Sequence, residues 1–216
     1  MTILSFYFQK IIYFFARNKK NGKGKINFGR RYSTSRFFMY NKIERYIKKN
    51  NISGKILLIS ENDEYSIRKM FSNRSKFTST TYPQINIMNL SSFRNGEFDV
   101  VVTDQVLEHV PNPFQAVKEM YRILKKGGFN INTSCTFNPI HDVSDYFRFT
   151  KEGFKQIHKM FNKIITIGSW GNRKVIGNFI LNNYKSFDVR KNKRDYMLAN
   201  NNDDKWPWVV WCIAQK

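Results

Sequence analysis

The sequence predicts an α/β fold in which one mostly parallel sheet has helices on both faces. A continuous apolar run at residues 56–59 and a mostly apolar run at residues 98–103 are typical of strands buried on both faces. Strand-like and helix-like segments alternate around these runs, which indicates βαβ units. Two apolar runs near the C-terminus, residues 164–167 and 208–213, predict a closing antiparallel hairpin. We therefore expect one sheet of about seven strands.

The sequence predicts three helices and five strands. In chain order they are helix 35–49, strand 56–59, helix 63–71, strand 98–103, helix 113–128, strand 129–135, strand 163–170 and strand 206–215. Pro113 indicates where the third helix begins, and the Lys-Lys-Gly-Gly sequence at residues 125–128 is expected to end it. Residues 172–205 are a long polar stretch between the last two strands.

Composition excludes several classes of chain. With 216 residues, 41% of them hydrophobic, the sequence can form a globular core, which rules out a disordered chain. Its 11 Gly, 5 Pro and 2 Cys are too few for a collagen-like or disulfide-dense protein. Cys135 and Cys212 are far apart, and no zinc-ligand spacing occurs. We therefore expect a reducing, cytoplasmic location and no metal site.

The charge balance is strongly basic, with 37 Lys and Arg against 16 Asp and Glu, a net charge of +21. A basic surface suits nucleic acid, an anionic membrane or acidic substrates. An AT-rich genome would also enrich Lys and Asn at tolerant surface positions, and the sequence does not separate the two explanations. Nucleic acid is the less favoured partner, because charge alone carries no sequence recognition.

Residues 1–34 form a basic N-terminal segment, expected to contain a helix and a linker, ahead of a main domain of residues 35–216. Residues 1–16 are apolar but too short and too interrupted for a transmembrane helix, and no signal-peptide cleavage site follows. Basic residues from Arg17 to Lys25 predict peripheral contact of residues 1–25 with an anionic bilayer. A first helix packed on the domain is the alternative.

The most informative segment is FDVVVTDQVLEHVPNPFQAVKEMYRILKKGGF, residues 98–129. It joins a buried strand, the Leu107-Glu108-His109 sequence, a helix that begins with proline and a Gly-Gly turn. In this order and spacing it resembles the fourth strand, following helix and fifth-strand turn of class I S-adenosylmethionine-dependent methyltransferases of the type 11 group. NPIHDVSDYFRFTKEGF, residues 138–154, resembles a subgroup found in surface-polysaccharide synthesis. The resemblance implies a Rossmann-like, doubly wound sheet and a methyltransferase-like domain over residues 35–216.

The resemblance also implies S-adenosylmethionine as the cofactor, bound where the parallel strands end. The expected cofactor-binding residues are Ser60, Glu61, Asn62, Asn86, Ile87, Asp104 and Gln105. The glycine-rich turn of the family is degenerate here, because residues 60–64 contain no glycine to let the backbone approach a ligand closely. Residues 75–84, which correspond to the segment after the second strand of the family, also lack the carboxylate that ordinarily binds the ribose hydroxyls.

Three residues are candidates for catalysis if a hydroxyl is methylated: His141, Asp145 and His109. His141 lies on the acceptor side of the family pattern, and imidazole changes its charge near neutral pH. Asp145 is close enough in sequence to orient it. The alternatives are that His141 and Asp145 stabilise their loop and that His109 makes a structural hydrogen bond. Arg148 is expected either to bind an anionic acceptor or to pair with Asp145 or Glu152.

The sequence therefore predicts an S-adenosylmethionine-dependent methyltransferase that acts on a hydroxyl of a sugar or lipid-linked glycan. We expect it in the cytoplasm, with peripheral contact to the inner membrane face as an option. The alternative is a non-catalytic protein of the same fold that binds a protein partner, nucleic acid or an anionic membrane surface. The sequence does not indicate the oligomeric state.

Overall fold

A computed structural model describes residues 34–60, 67–183, 197–198 and 200–216. The helices described over their full length are α1 (Thr34–Lys49), α2 (Pro113–Ile123), α3 (Lys151–Ile157) and α4 (Arg173–Leu181). The strands are β1 (Lys55–Ser60), β2 (Lys76–Thr80), β3 (Phe98–Asp104), β4 (Leu124–Cys135), β5 (Lys163–Trp170) and β6 (Val209–Gln215). One 3-10 turn, Leu107–His109, lies between β3 and α2.

The six described strands form one sheet in the order β2-β1-β3-β4-β6-β5. Strands β1 to β4 are parallel, whereas β6 runs antiparallel to both β4 and β5. The mostly parallel α/β sheet and its antiparallel final pair are therefore confirmed, although about seven strands were expected. Residues 81–97 contribute only an isolated bridge between Asn86 and Asn89, because these two side chains accept backbone hydrogen bonds and hold turns instead.

Alternate side chains of the central strands supply the core on the two sides of the sheet. Ile56 and Leu58 of β1 belong to a buried cluster that includes Met39 of α1. Leu57 and Ile59 of the same strand belong to a second cluster that includes side chains of α2 and α3. Since both faces of β1 are covered, the strand can be apolar throughout, as the sequence predicted.

Helix α2 begins as predicted and ends earlier. Asn112 accepts a hydrogen bond from the first turn, and Pro113 opens the helix. The helix ends at Ile123 because the Ile123 carbonyl accepts from the Glu97 N–H (2.7 Å) and the Lys216 ammonium donates to carbonyls of the last turn. Residues 125–128, expected to close the helix, therefore begin β4 instead.

The carboxyl ends of β1, β2, β3, β4 and β5 share one edge of the sheet, which we call the carboxyl edge. Helices α2, α3 and α4 each begin there, after β3, β4 and β5. Helix α1 also begins there, since Tyr40 reaches Asp104 at the end of β3. The Phe38 ring stacks on Trp170 at the end of β5.

Several predictions concern residues outside the described ranges. The basic segment 1–34 lies outside them except for Thr34, and the predicted helix 63–71 lies partly outside them. The domain boundary and the membrane contact of residues 1–25 stay predictions. Within the described ranges, no helix combines the length and apolar content needed to cross a bilayer.

Candidate functional site at the carboxyl edge

Asp104 is the centre of a buried polar cluster where β3 ends. It lies beside Ser60 of β1 and Thr133 of β4 in the sheet register. Its carboxylate accepts hydrogen bonds from the hydroxyls of Tyr40 (2.6 Å) and Thr133 (2.6 Å), and Arg36 Nη2 is 3.7 Å away. Because the side chain is only 1% exposed, these partners compensate for the loss of hydration.

A small recess borders this cluster. It is lined by Tyr40, Thr133 and Asp104 and by apolar side chains of α1, residues 67–71, β3 and β4, and the surface it exposes is apolar. It has room for about one water molecule, far less than the roughly 300–1,000 Å³ of ordinary small-molecule pockets. Glu61 and Asn62, two of the predicted cofactor contacts, lie outside the described residues.

The other predicted cofactor contacts do not line this recess. Gln105 has a positive φ of 55°, and its side-chain amide donates to Thr133 Oγ1 (3.1 Å). Asn86 is exposed, and its side-chain oxygen accepts from the Met88 N–H (3.0 Å). Ile87 is buried in the core. Only Asp104 of the predicted set therefore faces the recess.

Asp104 is the described residue that would hold the cationic part of S-adenosylmethionine, but the recess beside it is too small for the whole cofactor. The cofactor carries a sulfonium and an ammonium group, and a buried carboxylate favours positive charge. The Arg36 guanidinium, 3.7 Å from Asp104, already supplies such a charge. The ribose hydroxyls of the cofactor have no carboxylate partner directly after β2, because β2 ends at Thr80 and residues 81–84 contain no Asp or Glu.

The predicted catalytic residues come together at the neighbouring end of β4. The loop after β4 is held against the 3-10 turn by hydrogen bonds from the Tyr146 and Phe147 N–H groups to the Glu108 carbonyl (2.8 and 3.1 Å). His109 Nδ1 lies 2.7 Å from the Ser144 carbonyl and donates its proton there. This arrangement brings the rings of His109 and His141 to a centroid distance of 4.9 Å.

His141 is oriented by three polar neighbours of its Nδ1 atom. Nδ1 lies 3.0 Å from the Pro139 carbonyl, 3.1 Å from Asp145 Oδ2 and 3.2 Å from the side-chain amide nitrogen of Asn138. The carbonyl and the carboxylate both accept, and a proton on Nδ1 satisfies them and leaves the Nε2 lone pair for another partner. The side chain is 40% exposed, so a solvent-borne hydroxyl can approach it.

Arg148 fixes the carboxylate that faces His141. Its two terminal nitrogens bind the two oxygens of Asp145, and the Nη2 to Oδ2 distance is 2.7 Å. The hydrogen bond from Arg148 lowers the pKa of Asp145 to about 2, so the carboxylate stays ionised. Arg148 also donates to the carbonyls of Asn138, Pro139 and Phe147. Of the predicted alternatives, the structure therefore shows pairing with Asp145.

Glu108 is a buried carboxyl group that was not among the predicted site residues. Its side chain is fully buried and accepts from Ser134 Oγ (2.7 Å), while Oε1 has no hydrogen-bond partner within the described residues. Burial raises the pKa of this carboxyl, which favours the protonated form. Asn130 and Asn132 of β4 are also fully buried. A strand of alternating Asn and Ser side chains was the available signal for this polar interior.

The comparisons with known proteins agree with this architecture. Residues 56–131 match the family model described as "Methyltransferase domain". A demethylmenaquinone methyltransferase from Lysinibacillus sphaericus is 33% identical over 87 residues, 38% of this chain and 36% of that protein. A ubiquinone biosynthesis O-methyltransferase from Pseudomonas paraeruginosa is 34% identical over 58 residues, 27% of this chain and 25% of that protein. The chain thus spans about a third or less of these relatives.

A solved structure extends the similarity beyond the matched segment. The CurJ carbon methyltransferase superimposes with a TM-score of 0.55 at 11% identity, covering 84% of this chain and 54% of that one. At this identity the likeness shows the fold alone. The family model therefore covers residues 56–131, and the superposition extends the shared fold beyond them.

Proposed function

We propose that this protein transfers a methyl group from S-adenosylmethionine to a hydroxyl of a sugar or lipid-linked glycan. The observation that carries the proposal is the alignment of His141, Asp145 and Arg148 at the carboxyl edge, one strand away from Asp104. The O-methyltransferase among its relatives is consistent with an oxygen acceptor. We place the protein in the cytoplasm, with the membrane contact of residues 1–25 as a further part of the proposal.

S-adenosylmethionine supplies an electrophilic methyl group when it is bound. The acceptor hydroxyl must lose its proton as its oxygen forms the new bond, and His141 Nε2 is the group placed to take that proton. Asp145 lies within 3.1 Å of the opposite ring nitrogen and stabilises the imidazolium that results. Arg148 keeps the carboxylate ionised and in position, so it acts as a positioning residue.

The acceptor class is supported by side chains around His141. The rings of Tyr146 and Phe147 are 53% and 37% exposed beside the 3-10 turn, where they offer apolar faces to a sugar ring. Arg148 has its donors occupied within the loop. A neutral hydroxyl compound therefore suits the site better than an acceptor that needs a guanidinium partner.

The test is methyl transfer from radiolabelled S-adenosylmethionine to glycan acceptors by the full chain and by His141→Asn. We expect turnover to fall by roughly two to four orders of magnitude, the usual contribution of a positioned base. Cofactor affinity, measured by calorimetric titration, should change little because His141 does not line the recess. Asp142→Asn is the matched control, since Asp142 is a half-buried neighbour whose side chain accepts hydrogen bonds from N–H groups of its own loop. Turnover by His141→Asn within a few-fold of the original would contradict the proposal.

A non-catalytic role is the second candidate, and the size of the recess favours it. A recess with room for about one water molecule is too small for an intact cofactor site. Titration with S-adenosylmethionine and S-adenosylhomocysteine separates the two candidates. Heat of binding for either compound supports the enzyme, whereas no binding of either one supports a protein that uses the fold for another partner.

A further inference from the structure

Exposed apolar side chains are concentrated at the carboxyl edge. The described residues include eleven exposed large hydrophobic side chains, and seven of them lie in segments at this edge. These seven are Tyr82, Phe114, Ile140, Val143, Tyr146, Phe147 and Trp206. They come from the connections that follow β2, β3 and β4 and from the one that precedes β6. The clustering is therefore a property of the folded edge and not of one segment of sequence.

The apolar side chains extend outward and do not line a cavity. Ile140 is 85% exposed, Val143 is 66% exposed, and none of the seven borders the recess beside Asp104. A small acceptor is normally bound in a concave site that buries most of its surface. Ile140 and Val143, the most exposed of the seven, instead need a broad and deformable partner.

Charge at and beside this edge identifies the kind of partner. Lys151 lies in the first turn of α3, and Arg173 and Lys174 lie in the first turn of α4. The N-terminus of α4 adds the positive end of its helix dipole. Half-buried Asp142 and exposed Glu152 offset part of this charge. Residues 34–216 as a whole are basic, with 29 Lys and Arg against 16 Asp and Glu. An apolar edge on a basic domain complements an anionic lipid bilayer.

We propose that the carboxyl edge docks on an anionic lipid bilayer, with Ile140 and Val143 inserted below the headgroups. Apolar contact supplies most of the attraction, because acidic and basic side chains at the edge itself largely offset each other. Docking in this orientation turns His141 toward the membrane. The acceptor class then rests on the proposed function, in which His141 takes the proton of the acceptor. A hydroxyl that reaches His141 from the membrane side belongs to a lipid-linked compound.

The orientation can be measured with a single fluorescent label. Cys135 and Cys212 are buried, so a cysteine introduced at an exposed position is labelled selectively. We compare Ile140→Cys with Leu181→Cys, each carrying an environment-sensitive dye in the full chain, because the two side chains are 85% and 82% exposed. On phosphatidylcholine–phosphatidylglycerol vesicles we expect brighter, blue-shifted emission at position 140 only. An equal response at both positions, or none at position 140, overturns the proposal.

Vesicle sedimentation tests the energetic side of the same proposal. Ile140→Ser/Val143→Ser should weaken partitioning at least about tenfold, since each buried aliphatic side chain contributes roughly that factor or more. Ile180→Ser/Leu181→Ser is the matched control and should stay within about twofold, because α4 ends away from the carboxyl edge. Partitioning that is unaffected by the first pair, or an unlabelled chain that does not sediment at all, overturns the proposal. Both measurements omit cofactor and acceptor, so they are independent of whether methyl transfer occurs.

Discussion

Mild acid should destabilise the folded protein through His158. The side chain of His158 is fully buried after α3, and its Nδ1 donates to the Phe154 carbonyl (2.7 Å). Nε2 lies 2.9 Å from the side-chain oxygen of Asn132. Phe154 and Phe161 are its aromatic neighbours. Burial among these uncharged groups lowers the pKa of His158 from 6.5 to about 4.

The direction and size of the effect follow from the two pKa values. Below pH 6.5 the unfolded chain binds a proton on His158, whereas the folded protein does not bind it until about pH 4. The free energy of unfolding therefore falls as the pH decreases through this window. Between pH 7 and pH 4.5 the loss from this one group is about 2.5 kcal/mol. Asp145, whose pKa is lowered to about 2, affects stability only at lower pH, below its ordinary value of 3.8.

Urea unfolding at pH 7 and pH 4.5 measures this loss in the full chain and in His158→Gln. Glutamine retains an amide that can donate to the Phe154 carbonyl but has no titratable proton. We expect the variant to be less stable at pH 7, and to lose about 2.5 kcal/mol less than the original chain on acidification. Other titrating groups are common to both chains and cancel in the comparison. The same loss of stability in both chains would refute the assignment to His158.

Two further predictions concern the packing of the sheet. A Cβ at Gly168 would overlap the Trp211 ring across the β5–β6 pair, so Gly168→Ala should reduce stability by about 1–3 kcal/mol in thermal unfolding. Gly177→Ala in α4 meets no atom within 4 Å and should instead stabilise by about 0.5–1 kcal/mol, and equal effects of the two changes would contradict this assignment. Burial raises the pKa of the thiols of Cys135 and Cys212, the latter to about 12. Neither should react with a thiol reagent at pH 8 until urea unfolds the chain, and rapid labelling of the native protein would be inconsistent with their burial.

The elements that sequence reasoning located correctly are those determined by local pattern. Strand β1 contains a continuous apolar run and β3 a mostly apolar run because helices cover both faces of the sheet. The start of α2 is encoded by Asn112 and Pro113. The predicted end of α2 was wrong because the position of the helix end depends on Lys216. The Lys216 ammonium donates to the carbonyl of Leu124, which lies 92 residues earlier in the sequence. No local pattern can report such a contact.

The identity of residues in the candidate site could be predicted from the sequence, whereas their contacts could not. Residues 138–154 suggested His141 and Asp145, and their separation by four residues allows a direct contact. The bidentate pairing of Arg148 was one of several alternatives until the loop conformation was known. That conformation depends on the Glu108 carbonyl, which belongs to a different connection. The burial of Glu108 itself requires the three-dimensional packing of the sheet.

The position of β6 also has a consequence for how the chain folds during synthesis. Strand β5 is made before β6 but contacts the rest of the sheet only through it, because β6 lies between β4 and β5. A nascent chain that ends before residue 209 can therefore assemble the four parallel strands while β4 keeps an open edge. Unpaired edges promote association between chains. Completion of the sheet, and protection of that edge, must wait until the last-made strand is inserted between two strands that were made before it.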